Sequence, residues 1–170
     1  MIPRPTEQDV DPYFFTYIDQ VLGEDPAAAL RPQLAEALEV FSGISEERSL
    51  RRYASGKWSM RQLLNHVTDT ERAFAFRMLW FSRGFDTALP GYDQDITAAG
   101  AEADSVSWAA HVEEFHMVRL STIALYRNMP VAGWKRSGIA NGKLVTVGAL
   151  AYIVPGHVAH HLKVLRERYL

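Results

Sequence analysis

The sequence contains no cysteine, which excludes disulfide staples, a thiol nucleophile and thiolate metal ligands supplied by this chain. Any metal it binds must be held by His, Asp, Glu or backbone oxygen. Basic residues are not in excess either: 18 Lys and Arg stand against 20 Asp and Glu, a formal net charge of -2, and no dense basic stripe occurs. Nucleic acid is therefore not an expected partner. No apolar run approaches the ~20 residues of a membrane span, and the N-terminus lacks the apolar core of a signal peptide. The expected location is the cytoplasm, with no membrane partner. Internal repeats, low-complexity tracts and linkers rich in Gly, Ser or Pro are missing, and strand signals are few. With 48% hydrophobic and 22% charged residues over 170 positions, the chain reads as one compact domain, 1–170.

What is present is helical spacing. Tyr13, Phe14, Tyr17, Ile18, Val21 and Leu22 mark a segment over about Asp11 to Leu22, and Leu34, Leu38 and Phe41 mark another over Arg31 to Phe41. The pattern leaves open whether these are one broken helix or two. The clearest helix opens after Ser59, a good N-cap, and runs through Leu63, Val67, Phe74, Met78 and Phe81 to a stop at Gly84. A long polar connection follows, from about Arg83 to Asp104, with Pro90, Gly91 and Gly100 among several aspartates. A third long helix is predicted from Ser105 or Ser107 to Met129, ended by Pro130, and a fourth from near Thr146 to the C-terminus. Gly133 to Gly142 reads as loop, and Leu144, Val145 and Val147 are too few to call a strand. These elements predict an all-α domain, a four-helix bundle with a long crossover loop.

The fourth helix carries Gly156-His157-Val158-Ala159-His160-His161. At about 100° per residue, His157 and His161 lie about 40° apart on the face that also carries Leu150, Val154 and Leu165. His160 sits about 60° to one side, beside Lys163 and Glu167. On the second long helix His66 flanks the stripe through Leu63, Phe74 and Phe81, with Thr70 on the same face, so it is the natural third ligand from a facing helix. Neutral imidazoles suit a divalent transition metal such as Zn, Ni or Fe, and three protein ligands leave a position open for chemistry. Ligation is expected to weaken below about pH 6.5, where free imidazole protonates. His111 and His116 are five apart on the third helix and off a common face, so a plain core or surface role is assigned to them. Pro155 removes one helical hydrogen bond and strips the Ala151 carbonyl of its donor. Either a kink before His157 or two separate short helices is expected there.

Several motifs together carry a resemblance over nearly the whole chain. They are Tyr53-Ala54-Ser55-Gly56-Lys57-Trp58-Ser59 with Leu63-Leu64-Asn65-His66-Val67-Thr68-Asp69-Thr70-Glu71-Arg72, then Leu89-Pro90-Gly91-Tyr92-Asp93-Gln94-Asp95, Gly138-Ile139-Ala140-Asn141-Gly142, and Ala149 to His161. The chain resembles the DinB-like superfamily. The resemblance implies a four-helix bundle with a metal held by His66, His157 and His161, the trio reached above from helix faces. One departure is Val164, which stands where many relatives have Gln three residues after the last histidine.

Among the acids, Asp69 lies near the His66 face and is the better candidate to accept the free N–H of a ligand imidazole, while Glu71 is turned away and reads as a surface residue. Asp93 and Asp95 in the long connection are the candidate catalytic carboxylates, weighted by the resemblance. The resemblance implies a metal-dependent enzyme such as a low-molecular-weight-thiol S-transferase, with a small molecule and a cellular thiol as partners. A metal-dependent hydrolase using Asp93 or Asp95 as base, and a non-catalytic stress-linked metal-binding protein, stand beside it. A homodimer paired through an outer helix face is also expected.

Overall fold

The computed structural model describes residues 2–170, and they form a four-helix bundle. A single 3₁₀ turn, Pro12–Phe14, leads into the short helix α1 (Phe15–Ile18), and the separate helix α2 (Pro26–Ser42) follows. The first two apolar segments are therefore two helices. Asp25 caps α2 by accepting from the Ala27 amide, with Pro26 at the first helical position. Helix α3 (Met60–Ser82) starts at a full capping box: Ser59 Oγ accepts from the Gln62 amide at 3.1 Å and Gln62 Oε1 from the Ser59 amide at 3.0 Å. The long connection is not wholly irregular, because it contains the two-turn helix α4 (Gln94–Gly100). Helix α5 (Trp108–Arg127) is capped by Ser107, and a one-turn helix α6 (Val131–Trp134) follows Pro130.

The region read as loop and the apolar residues after it, too few to call a strand, form a β-hairpin, β1 (Ser137–Ala140) with β2 (Lys143–Thr146), in antiparallel register with Ala140 opposite Lys143. Asn141 and Gly142 form its two-residue turn with φ of 53° and 69°, the left-handed backbone that a tight hairpin of this kind requires. Four-residue strands are too short to show a period, but the Asn-Gly pair was the legible sign. Leu89 adds a rung, donating to Ile139 O and accepting from the Asn141 amide. The hairpin feeds directly into α7 (Val147–Arg168), capped by Thr146.

Helix α3 packs on α5 and α7, and α2 packs on α5 and α7. The apolar core divides into two clusters stacked along the bundle. On α3 one takes Met60, Leu63, Leu64 and Val67, and the other takes Phe74, Met78 and Phe81; on α7 Leu162 and Leu165 belong to the first, Leu150 and Val154 to the second. Between them lies a polar layer with one member from each long helix. Arg119 of α5 and Glu71 of α3 pair with side-chain exposures of 0% and 1%, so the surface role expected for Glu71 is wrong. The guanidinium donates to the Glu71 carboxylate at 2.7, 2.9 and 3.1 Å and, through Nη1, to Gln33 Oε1 of α2 at 2.8 Å. Gln33 Nε2 in turn donates to the Pro155 carbonyl of α7 at 2.8 Å.

Pro155 does not break α7, which continues from Val147 to Arg168. The Ala151 carbonyl that the proline leaves without a helical donor accepts instead from the Tyr126 hydroxyl of α5 at 2.8 Å. At the next position a Cβ would overlap the Tyr17 carbonyl, so Gly156 is what allows α1 to lie against α7.

Replacing Arg119 by Met strands the Glu71 carboxylate in the interior and is expected to cost about 3–5 kcal/mol. The measurement is urea denaturation. Adding Glu71→Leu to Arg119→Met should recover much of that loss, because both charges are then gone.

Candidate metal centre and its cavity

The three histidines singled out by helix faces come together at the polar layer. His66 stands on α3, His157 and His161 on α7, and their Nε2 atoms converge: His157 Nε2 lies 3.2 Å from that of His66 and 3.1 Å from that of His161. Their ligand atoms all fall within 4.8 Å of one another. Bonds of ~2.0 Å in tetrahedral geometry place neighbouring nitrogens ~3.3 Å apart, so the spacing suits one ion. It suits mutual hydrogen bonding poorly. A neutral imidazole nitrogen offers either one N–H or one in-plane lone pair, and His157 Nε2 faces two neighbours with it.

Burial sets the protonation of the trio. Desolvation lowers the His66 pKa to about 4, opposed by the nearby charge of Asp95, and lowers His161 to about 3, assisted by His66 and His160. His157, also buried, is pushed well below its ordinary value by desolvation and then by the surrounding histidines. All three are therefore neutral at pH 7 with lone pairs available. This moves proton competition below the pH 6.5 expected of free imidazole. Aromatic rings pack around them: Tyr17 edge-on to His157 at 5.1 Å, Trp58 against His66 at 4.9 Å and Phe74 at 6.0 Å from His157.

The partner of His66 Nδ1 is Thr70 Oγ1 at 3.4 Å, one turn along α3. Asp69, expected in that role, instead accepts from Arg72 at 3.0 Å. If Thr70 accepts the Nδ1 proton, Nε2 keeps its lone pair free. His160 stays at the margin, half-buried, with its ring 5.4 Å from Tyr17. His111 is buried and bonds the Ala103 carbonyl through Nε2 at 2.9 Å, far from the trio in its contacts, and His116 is absent from the group.

A cavity of about 370 Å³ opens onto His66 and His157, walled by Phe14, Tyr17, Phe74 and Leu150 and rimmed by Arg77, Tyr92 and Lys143. Neither Asp93 nor Asp95 lines it. Asp93 caps α4, its carboxylate accepting from the amides of Asp95 and Ile96 at 2.9 and 3.1 Å, and both residues are exposed. The carboxylate on the cavity wall is Asp11, held below its usual value by the Tyr13 amide and by Lys143. Sequence reasoning missed Tyr17, Arg77 and Tyr92. A signal existed for Arg77, since eleven residues after His66 bring a helix back to within about 20° of the same face.

Three converging, neutral histidines in a helical bundle, His66 and His157 buried on the lining of a cavity and His161 half-buried beside them, form a group that could hold one metal ion. The chain belongs to the DinB superfamily, whose sequence profile matches residues 29–165. Among solved structures it is similar to YfiT from Bacillus subtilis, described as a probable metal-dependent hydrolase with an unusual four-helix bundle topology. That match has a TM-score of 0.65 at 16% identity and covers 96% of this chain and 91% of the other. It is also similar to the mycothiol-dependent maleylpyruvate isomerase, with a TM-score of 0.67 at 15% identity over 81% of this chain. The match spans 58% of the isomerase. At such identities the likeness concerns the fold. No curated protein matches the sequence.

Stability should depend on pH through the trio. Unfolded imidazoles take up protons near pH 6.5 whereas the folded ones resist down to about 4 and 3, so between these values the unfolded state binds more protons. The metal-free protein is therefore expected to lose stability as pH falls from 7 to 5. Urea midpoints at the two pH values measure it, and the drop should shrink when His66 and His161 are both replaced by Gln.

Proposed function

We propose that this chain is a metal-dependent enzyme in which His66, His157 and His161 hold one divalent transition metal, Zn, Ni or Fe, and a low-molecular-weight thiol is the co-substrate. The observation that carries the reading is the convergence of the three Nε2 atoms beside a cavity large enough for a small molecule. A metal bound there would supply Lewis acidity, holding a sulfur or water ligand deprotonated near neutral pH. Tyr17 and Phe74 pack edge-on against His157, and Thr70 orients His66. The positive rim favours approach of an anionic thiolate over a neutral molecule. The lack of cysteine agrees with sulfur arriving on the co-substrate. Kinship with a superfamily whose fold is shared by a mycothiol-dependent isomerase gives further support.

A hydrolytic reading draws on the fold shared with YfiT, a probable metal-dependent hydrolase, and on the influence of the Asp95 charge on His66. In that reading Asp95 is the base and Asp93, tied to the α4 cap, shapes its loop.

Purified protein is expected to carry about one metal ion per chain, since three histidines build one site. His157→Ala should strip it and His111→Ala should not, as read by elemental analysis. In cobalt-substituted protein a bound thiol should produce intense sulfur-to-metal charge-transfer absorption. Activity screened on electrophiles with and without thiols should survive Asp93→Asn and Asp95→Asn, whereas loss of a hydrolytic base would cost on the order of 10²- to 10⁴-fold. A cobalt spectrum indifferent to every common cellular thiol rejects the thiol reading.

A further inference from the structure

Three helical turns beyond His66 the same face of α3 carries Arg77, about 16 Å further along the axis. Arg77 lines the cavity that reaches His66 and His157. Its guanidinium stands 5.9 Å from the centre of the Phe74 ring and makes one hydrogen bond, from Nη2 to the Pro90 carbonyl at 3.2 Å. Among the described residues no carboxylate lies within ion-pair distance of it. The other cation of the rim, Lys143, is paired with Asp11 at 3.2 Å. A half-buried guanidinium with five donors and one acceptor in place is poorly compensated, and burial draws its pKa down.

Tyr92 supplies an independent observation. It lines the same cavity, and its hydroxyl is buried without a hydrogen-bond partner. Buried polar groups of folded proteins are nearly always satisfied, so an unsatisfied one beside a cavity points to a ligand atom. The charge of the cavity is also defined. Lys143 and Asp11 offset each other, which leaves the Arg77 guanidinium as the uncompensated ion among the Asp, Lys and Arg side chains that line it.

We propose that Arg77 and Tyr92 form a carboxylate-binding subsite, so that the substrate is a monoanion with its acid group at Arg77 and its reacting end at the histidines. The planar guanidinium matches the two oxygens of a carboxylate, and the tyrosine hydroxyl donates to one of them. A single uncompensated charge fits a carboxylate better than a phosphate dianion. Phe74 stands between the two ends, 5.9 Å from the guanidinium and 6.0 Å from the His157 ring, and Phe14 and Leu150 also line the cavity, which calls for a short apolar body. The placement of the reacting end rests on the function proposed above; the carboxylate preference does not.

The test is calorimetric titration of the protein as purified, its metal content measured, with hexanoate, hexan-1-ol and hexyl phosphate. One charge-assisted contact predicts hexanoate binding about tenfold tighter than the alcohol. Arg77→Gln should abolish that preference while leaving the alcohol affinity unchanged, Arg77→Lys should retain part of it, and Tyr92→Phe should weaken hexanoate severalfold. Equal affinities in the parent protein, no measurable hexanoate binding, a preference that survives Arg77→Gln, or tighter binding of hexyl phosphate would each overturn the subsite. A carboxylate preference in protein that holds no metal would uphold the subsite while rejecting the metal reading.

Discussion

A charge pair without solvent, Glu71 with Arg119, governs how the four long helices meet. Two ions can remain inside a bundle only when their hydrogen-bonding capacity is met by near neighbours, and here that demand reaches every helix. Glu71 comes from α3, Arg119 from α5, Gln33 from α2, and the Pro155 carbonyl from α7. Sliding any one helix by a turn would leave a buried charge or amide unpaired, whereas the apolar clusters above and below would tolerate repacking. The polar layer thus sets the axial register that the hydrophobic layers leave loose.

The same layer places the histidines. Pro155 would ordinarily weaken a helix, yet its two costs are met from outside α7: Tyr126 covers the freed Ala151 carbonyl, and Gln33 holds the carbonyl of Pro155 itself. Gly156 then admits α1 so closely that Tyr17 rests on His157. Three consecutive residues, Pro155, Gly156 and His157, are each tied to a different part of the bundle. A side chain on such a stretch starts with little freedom to lose, the preorganisation that a metal site there would need.

Burial also decides the chemistry. The aromatic rings and helix packing that hide the imidazoles keep them neutral, and neutral imidazole is the ligating form. The cavity beside them is lined by the apolar Phe14, Phe74, Val145 and Leu150 and by the polar Asp11, Arg77, Tyr92 and Lys143. In the proposed subsite Arg77 and Tyr92 would hold one end of a bound molecule while the histidine nitrogens meet the other.

The sequence by itself determined the helices and the grouping of the three histidines. Capping residues and 3.6-residue periodicity are local properties, and they located α3, α5 and α7 to within a few residues; the spacing of His157 and His161, with His66 on a facing stripe, needed no more than helix geometry. The hairpin was legible only through Asn141-Gly142, since strands of four residues carry too little pattern to register. Glu71 was misjudged because its partner lies 48 residues away on another helix, and nothing local distinguishes a solvated carboxylate from one buried against arginine. Asp69 lost its assigned place to Thr70 for a similar reason, Arg72 being within reach of it. The continuity of α7 through Pro155, the walls of the cavity and the company of Arg77 and Tyr92 were decided by tertiary structure alone. Each depends on which side chains of distant segments fill the space around a residue, and that is settled only when the four helices pack.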